Sequence, residues 1–160
     1  SKTQIPTGGI ADDAVTAAKA TGFGKIGQVL QVTTKTETAT NSTSFVDCTN
    51  MSLNITPSAT SSKILAIANV AGLICAANDT DAVSLRILRD STEVSILVNV
   101  LFRTNDDEIL TCVPMTALDS PSSTSQLTYK IQVRNRQSNN VSMNGSGDSD
   151  TSLTLIEVLA

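Results

Sequence analysis

The chain has no histidine and no tryptophan, and its only aromatics are Phe23, Phe45, Phe102 and Tyr129. Without an imidazole there is no histidine general base, no Ser-His or Cys-His nucleophile pair and no histidine-ligated metal. Charged residues make up only 16% of the chain, and the formal net charge of −4 repels phosphate backbones. With four aromatics as a stacking platform, nucleic-acid binding is not expected. The three cysteines (Cys48, Cys75, Cys112) are odd in number, widely spaced and free of any C-x-x-C, which fits neither a disulfide framework nor a zinc site. Cys75 and Cys112 sit in apolar runs and read as buried thiols made in a reducing compartment. No 18-residue apolar stretch and no basic segment followed by an apolar run occur, so neither membrane insertion nor a signal peptide is expected. No cofactor is expected either.

What is abundant is serine and threonine, 41 of 160 residues, suited to exposed strand faces and turns. At 160 residues the chain is sized for one domain that buries about two thirds of its surface without staples. Residues 1–25 stand apart. Ile5-Pro6-Thr7-Gly8-Gly9 is a breaker cluster, after which Asp12 or Asp13 caps a brief helix through Lys19, closed by Gly22 and Gly24. So short a helix does not hold in water unaided, so its apolar residues, Ile10 and Val15 among them, are expected to dock elsewhere. The division is an arm over 1–25 and a domain over 26–160.

From Gly27 onward the apolar period is two. Met51, Leu53 and Ile55 alternate with polar residues, as do Val83, Leu85 and Ile87; Ile109, Thr111, Val113 and Met115 share a face. The cleanest half-buried strand is Leu127, Tyr129, Ile131 and Val133 against Thr128, Lys130, Gln132 and Arg134. Turn clusters recur every ~8–14 residues, the signature of an antiparallel sandwich or barrel. The fold class is therefore all-β. Ile64–Val70 and Val94–Phe102 are apolar on both faces, which a strand with one wet face is not. Their outer faces are expected to meet other subunits; of Val98 and Val100, one is expected at that contact and the other in the core.

Several motifs resemble reactive sites without meeting their requirements. Gly22-Phe23-Gly24-Lys25-Ile26-Gly27 spells G-x-G-x-x-G, but a helical run precedes it and a strand follows, the reverse of a dinucleotide-binding turn. It reads as a hinge. Asp79-Thr80-Asp81, Asp106-Asp107-Glu108 and Asp148-Ser149-Asp150 are acidic turns lacking the ordered ligands, glycine and distal Glu of a Ca²⁺ loop. Paired carboxylates for sugar hydrolysis lack aromatic platforms beside them. Six N-x-[ST] sequons stand against roughly three expected by chance, too small an excess to mark glycosylation.

Ile5-Pro6-Thr7-Gly8-Gly9-Ile10-Ala11-Asp12-Asp13-Ala14-Val15-Thr16-Ala17-Ala18-Lys19 resembles a segment that links or anchors bacteriophage tail fibres. Gly27-Gln28-Val29-Leu30-Gln31-Val32 and Met51–Leu65 resemble the opening and the "TITPSSTSSKIL" core of a C-terminal fibre module. Leu88-Arg89-Asp90-Ser91-Thr92 is similar to its "RDGT" hairpin, with Ser91 in place of Gly. Leu127-Thr128-Tyr129-Lys130 and Ser152–Leu159 are similar to its later strands. The resemblance spans nearly the whole chain and implies a trimeric, jelly-roll-like antiparallel β-sandwich on a virion, made in the bacterial host cytoplasm.

The expectation is a homotrimeric fibre knob for host attachment, not an enzyme, with a capsid decoration or head-fibre protein as the alternative. Its arm would grip other virion proteins through Ile10 and Val15. Counting strands from an arm at one end puts alternate turns at the other. The residues expected to face a host glycan or protein are then Asp79, Asp81, Asn105, Asp106, Asp107, Asn139 and Asn140. A break at Cys48–Asn50 would swap the ends.

Overall fold

The period-two pattern resolves into ten strands in a computed structural model that describes residues 25–75, 82–102, 109–137, 139–145 and 147–159. The brief helix expected in the arm, with Ile10 and Val15, lies outside the described residues. In chain order the strands are β1 (Lys25–Thr34), β2 (Thr38–Thr40), β3 (Val46–Ile55), β4 (Lys63–Cys75), β5 (Ala82–Arg89), β6 (Thr92–Phe102), β7 (Ile109–Asp119), β8 (Leu127–Asn135), β9 (Val141–Met143) and β10 (Thr151–Leu159). Every neighbouring pair is antiparallel, and the pairings nest: β5 with β6, β4 with β7, β3 with β8 and β1 with β10. Folding this nested hairpin over gives two sheets. One runs β1-β10-β4-β7, with β9 and β2 added beside the last residues of β4; the other runs β3-β8-β5-β6. This is the jelly-roll arrangement of an antiparallel sandwich.

The inner faces carry the alternating apolar residues. Ile64, Ala66, Ala68 and Val70 of β4 and Leu153 and Leu155 of β10 face Leu85 and Ile87 of β5 and Tyr129, Ile131 and Val133 of β8, all buried. Each fully buried large side chain contributes about 2 kcal/mol, so the summed core outweighs the polar contacts.

Parity is broken at several bulges, and three of them carry a left-handed residue: Asn50 (φ 59°), Gly72 (φ 58°) and Asn99 (φ 56°). Asparagine tolerates this conformation better than most residues with a β-carbon. The bulge at Cys48–Asn50 leaves β3 one continuous strand, so the ends are not swapped. The bulge at Asn99, whose N–H donates to Ser84 Oγ at 3.1 Å, puts Val98 outward (54% exposed) and Val100 against the core. In an unbroken strand these two would share a face. At the β5–β6 turn the positive φ falls on Asp90 (51°), so no glycine is needed at Ser91.

Two readings need correction. Cys112 is exposed, because it shares the outward parity of Leu110 and Pro114 on the edge strand β7; Cys75 is buried as expected, and so is Cys48. Gly27 is no hinge. It lies within β1, where a β-carbon would come 2.8 Å from Glu157 Oε2.

Candidate functional site

The nested pairing sorts the turns onto two ends. At the entry end, Lys25 pairs with Leu159 and Val158 with Lys63, and the 56–62, 90–91 and 120–126 connections gather there. At the far end lie the 41–45 turn, Asn135–Asn140 and the strand termini Cys75, Ala82, Phe102 and Ile109. These positions agree with the strand count. Asn139 and Asn140 are thus at the far end: the Asn139 carbonyl accepts from Asn135 Nδ2, and Asn140 is exposed just before β9. Asp79, Asp81, Asn105, Asp106 and Asp107 lie outside the described residues.

The entry end is locked by two polar networks. Glu157 is 1% exposed and faces inward, and its carboxylate accepts from Gln28 Nε2 (2.8 Å), Ser58 N (2.6 Å) and Ser58 Oγ (2.7 Å). Burial pushes its pKa up, but the donors from Gln28 and Ser58 outweigh this and hold it at about 2. Arg89 Nη1 bridges Asp119 Oδ1 and Oδ2 at 2.8 and 2.6 Å, and the Tyr129 hydroxyl donates to Oδ2 at 2.6 Å. This ties β5 and β8 of one sheet to β7 of the other. Burial and the neighbouring Asp119 carboxylate raise the Tyr129 pKa, so the hydroxyl stays a donor. Both networks hold the fold at this end. Among the described residues no group of three or more His, Cys, Asp or Glu side chains is placed to hold a metal.

A third network covers the outer face of the β3-β8-β5-β6 sheet. Asp47 and Arg86 both lie opposite Gln132, and Val46 opposite Val133, which sets Phe45 beside Arg134 at the far-end rim. The Arg86 and Arg134 guanidinium carbons stand 4.2 and 4.6 Å from the Phe45 ring centroid. Arg86 donates to Gln132 Oε1 (2.7 Å) and pairs with Glu93 (3.2 Å); Asp47 is held by Lys130 (2.9 Å) and Gln132. Arg134 has no carboxylate partner among the described residues.

The outer face of the β1-β10-β4-β7 sheet is the opposite in character. Val29, Ile156, Leu65 and Leu118 stand in register across all four strands, Val29 and Leu118 being 56% and 57% exposed. The neighbouring row holds Gln31, Thr154, Ile67 and Thr116, and Lys63 is the one charge among the outward positions of β4. Charge is thus depleted around an exposed apolar row.

No protein-family model matches the chain, and no curated protein matches it in sequence. Among solved structures it is similar to the VP2 subviral particle of infectious bursal disease virus, with a TM-score of 0.46 and 13% identity over 82% of this chain and 32% of that one. A whole particle of that virus gives 0.43 and 13% over 83% and 36%, and its Gx strain 0.36 and 14% over 84% and 39%. The chain spans about a third of the length of these proteins.

Sequence reasoning missed the Phe45–Arg86–Arg134 cluster and the continuation of the apolar outer face of β4 in register to Val29, Ile156 and Leu118. The polar parity of Arg86 and Arg134 was visible, as was the rarity of Phe45. Their meeting depends on the pairing of strands far apart in sequence.

Proposed function

We propose that the chain is a bacteriophage virion protein, a homotrimeric jelly-roll knob carried on its N-terminal arm and used to attach to the host cell. One observation carries the reading. The described domain begins and ends at the same place, with Lys25 opposite Leu159, so a knob tethered through the arm that precedes β1 is held at one end and free at the other. The far end then presents its turns to the host, and their acidic and amide side chains suit the hydroxyls of a surface glycan or the polar groups of a surface protein. Without aromatic platforms each site is weak, and several knobs acting together supply useful attachment. Ile10 and Val15 of the arm grip other virion proteins. The trimer contact uses the apolar row around Leu65, together with Val98. The knob binds and does not catalyse, consistent with a sequence that has no histidine. It is made in the host cytoplasm and acts on the virion.

The test is retention of the fluorescently labelled full chain on a panel of bacterial cells, with sedimentation at micromolar concentration. A trimer retained on a subset of strains is the expected result. Many copies per capsid with no cell retention would favour the decoration role; a well-folded monomer would overturn the trimer. Deleting residues 1–24 is expected to leave a soluble knob that no longer enters particles.

A further inference from the structure

A guanidinium with no counter-ion among the described residues is unusual on a chain of net charge −4 whose other outward cations on this sheet are engaged. Lys130 and Gln132 hold Asp47, and Glu93 holds Arg86. Arg134 instead shares the Phe45 ring with Arg86, so the two guanidinium carbons lie no farther apart than their combined distances to its centroid. Two like charges beside one ring repel, and Glu93 offsets only that of Arg86, so an anion at Arg134 would relieve the pair. Both side chains are half-buried; Arg86 already donates through Nε to Gln132 and through Nη1 to Glu93, which leaves the planar fork of Arg134 to accept a bidentate acid group. The site lies at the far-end rim, where Asn135–Asn140 supplies further polar groups, and Phe45 is one of only four aromatics in the chain.

We infer that Arg134, held beside Phe45 and Arg86, forms a binding site for an acidic sugar, a saccharide carrying a carboxylate or a phosphate, with the Arg134 fork on its acid group and Arg86 adding a second positive charge. This rests on the attachment reading above and names the class of surface ligand. Surface polysaccharides offer both acid groups, and the shared chemistry is an anionic group on a pyranose.

The experiment is biosensor retention of the full chain on four surfaces: oligogalacturonate, neutral oligogalactose, mannose 6-phosphate and mannose. Retention on at least one acidic surface above its neutral partner is expected, weakening as salt rises from about 50 to about 300 mM. Preference for galacturonate marks a carboxylate ligand, and preference for the phosphosugar a phosphorylated one. Arg134→Gln is expected to weaken acidic retention about tenfold with an unchanged melting temperature, and Arg134→Lys to recover part of it. Phe45→Leu is expected to weaken it with both charges intact. Equal retention on acidic and neutral surfaces, or an Arg134→Gln variant that binds like the wild type, overturns the inference. If the inference fails while labelled chain still binds cells, attachment stands through another part of the far end. Loss of cell binding as well would sink both.

Discussion

Replacing Glu157 by Gln isolates the contribution of the inward-facing carboxylate at the entry end. Its pKa of about 2 in the folded chain compares with 4.5 for a free glutamate. Each unit of difference is worth about 1.4 kcal/mol, so the ionised carboxylate contributes about 3 kcal/mol at neutral pH as an upper figure. The folded value lies below the unfolded one, so the contribution is present above about pH 4.5 and is lost as pH falls toward 2. Glu157→Gln would keep the shape but set an amide donor against Ser58 N–H or Gln28 Nε2, which donate at 2.6 and 2.8 Å. Urea melts of wild type and variant at pH 7 should differ by about 2–3 kcal/mol, and the gap should fall by more than half at pH 3. Any gap that persists in acid reports the misplaced amide. A variant as stable as wild type at pH 7, or a gap unchanged by acid, would refute the reasoning.

Asp119→Asn removes the charge that Arg89 and Tyr129 share across the two sheets, and should cost about 2–3 kcal/mol in a chemical melt; Tyr129→Phe in that background should cost less than it does alone. Gly72→Ala places a β-carbon 3.0 Å from Asn144 Cα at a φ of 58°, and should destabilise by at least about 1–2 kcal/mol, read as a lowered melting temperature. Leu118→Asp at the exposed end of the apolar row should leave the chain folded by circular dichroism but dissociate it in sedimentation. Thiol labelling at pH 8 should modify Cys112 faster in that variant than in the assembled wild type. Cys48, buried and pushed up to about 12 by that burial and the Asp47 charge, should react only on unfolding.

Strands whose one face is wet were legible as sequence. Leu127–Arg134 alternates cleanly and is β8, and the two-faced run of β4 announced a covered or apolar outer surface at Leu65 and Ile67. The bulges were not legible. Three extra residues at Cys48–Asn50 look the same as a strand break until the pairing partner is known, and the outward turn of Val98 depends on the left-handed Asn99. Cys112 misled because an apolar run says nothing about which sheet edge it forms. The burial of Glu157 was unreadable, since its donors at Gln28 and Ser58 arrive from strand and turn segments about 100 residues away. The same holds for Arg86, Arg134 and Phe45, whose meeting requires the β3-β8-β5 register.

The central claim is that this jelly roll is displayed on a virion. An antibody raised against the knob, gold-labelled and applied to intact phage particles that carry the gene, tests it directly. The account predicts label on projections at the outside of the particle. Label absent from intact particles, with the chain recovered only from the soluble fraction of infected cells, would contradict it.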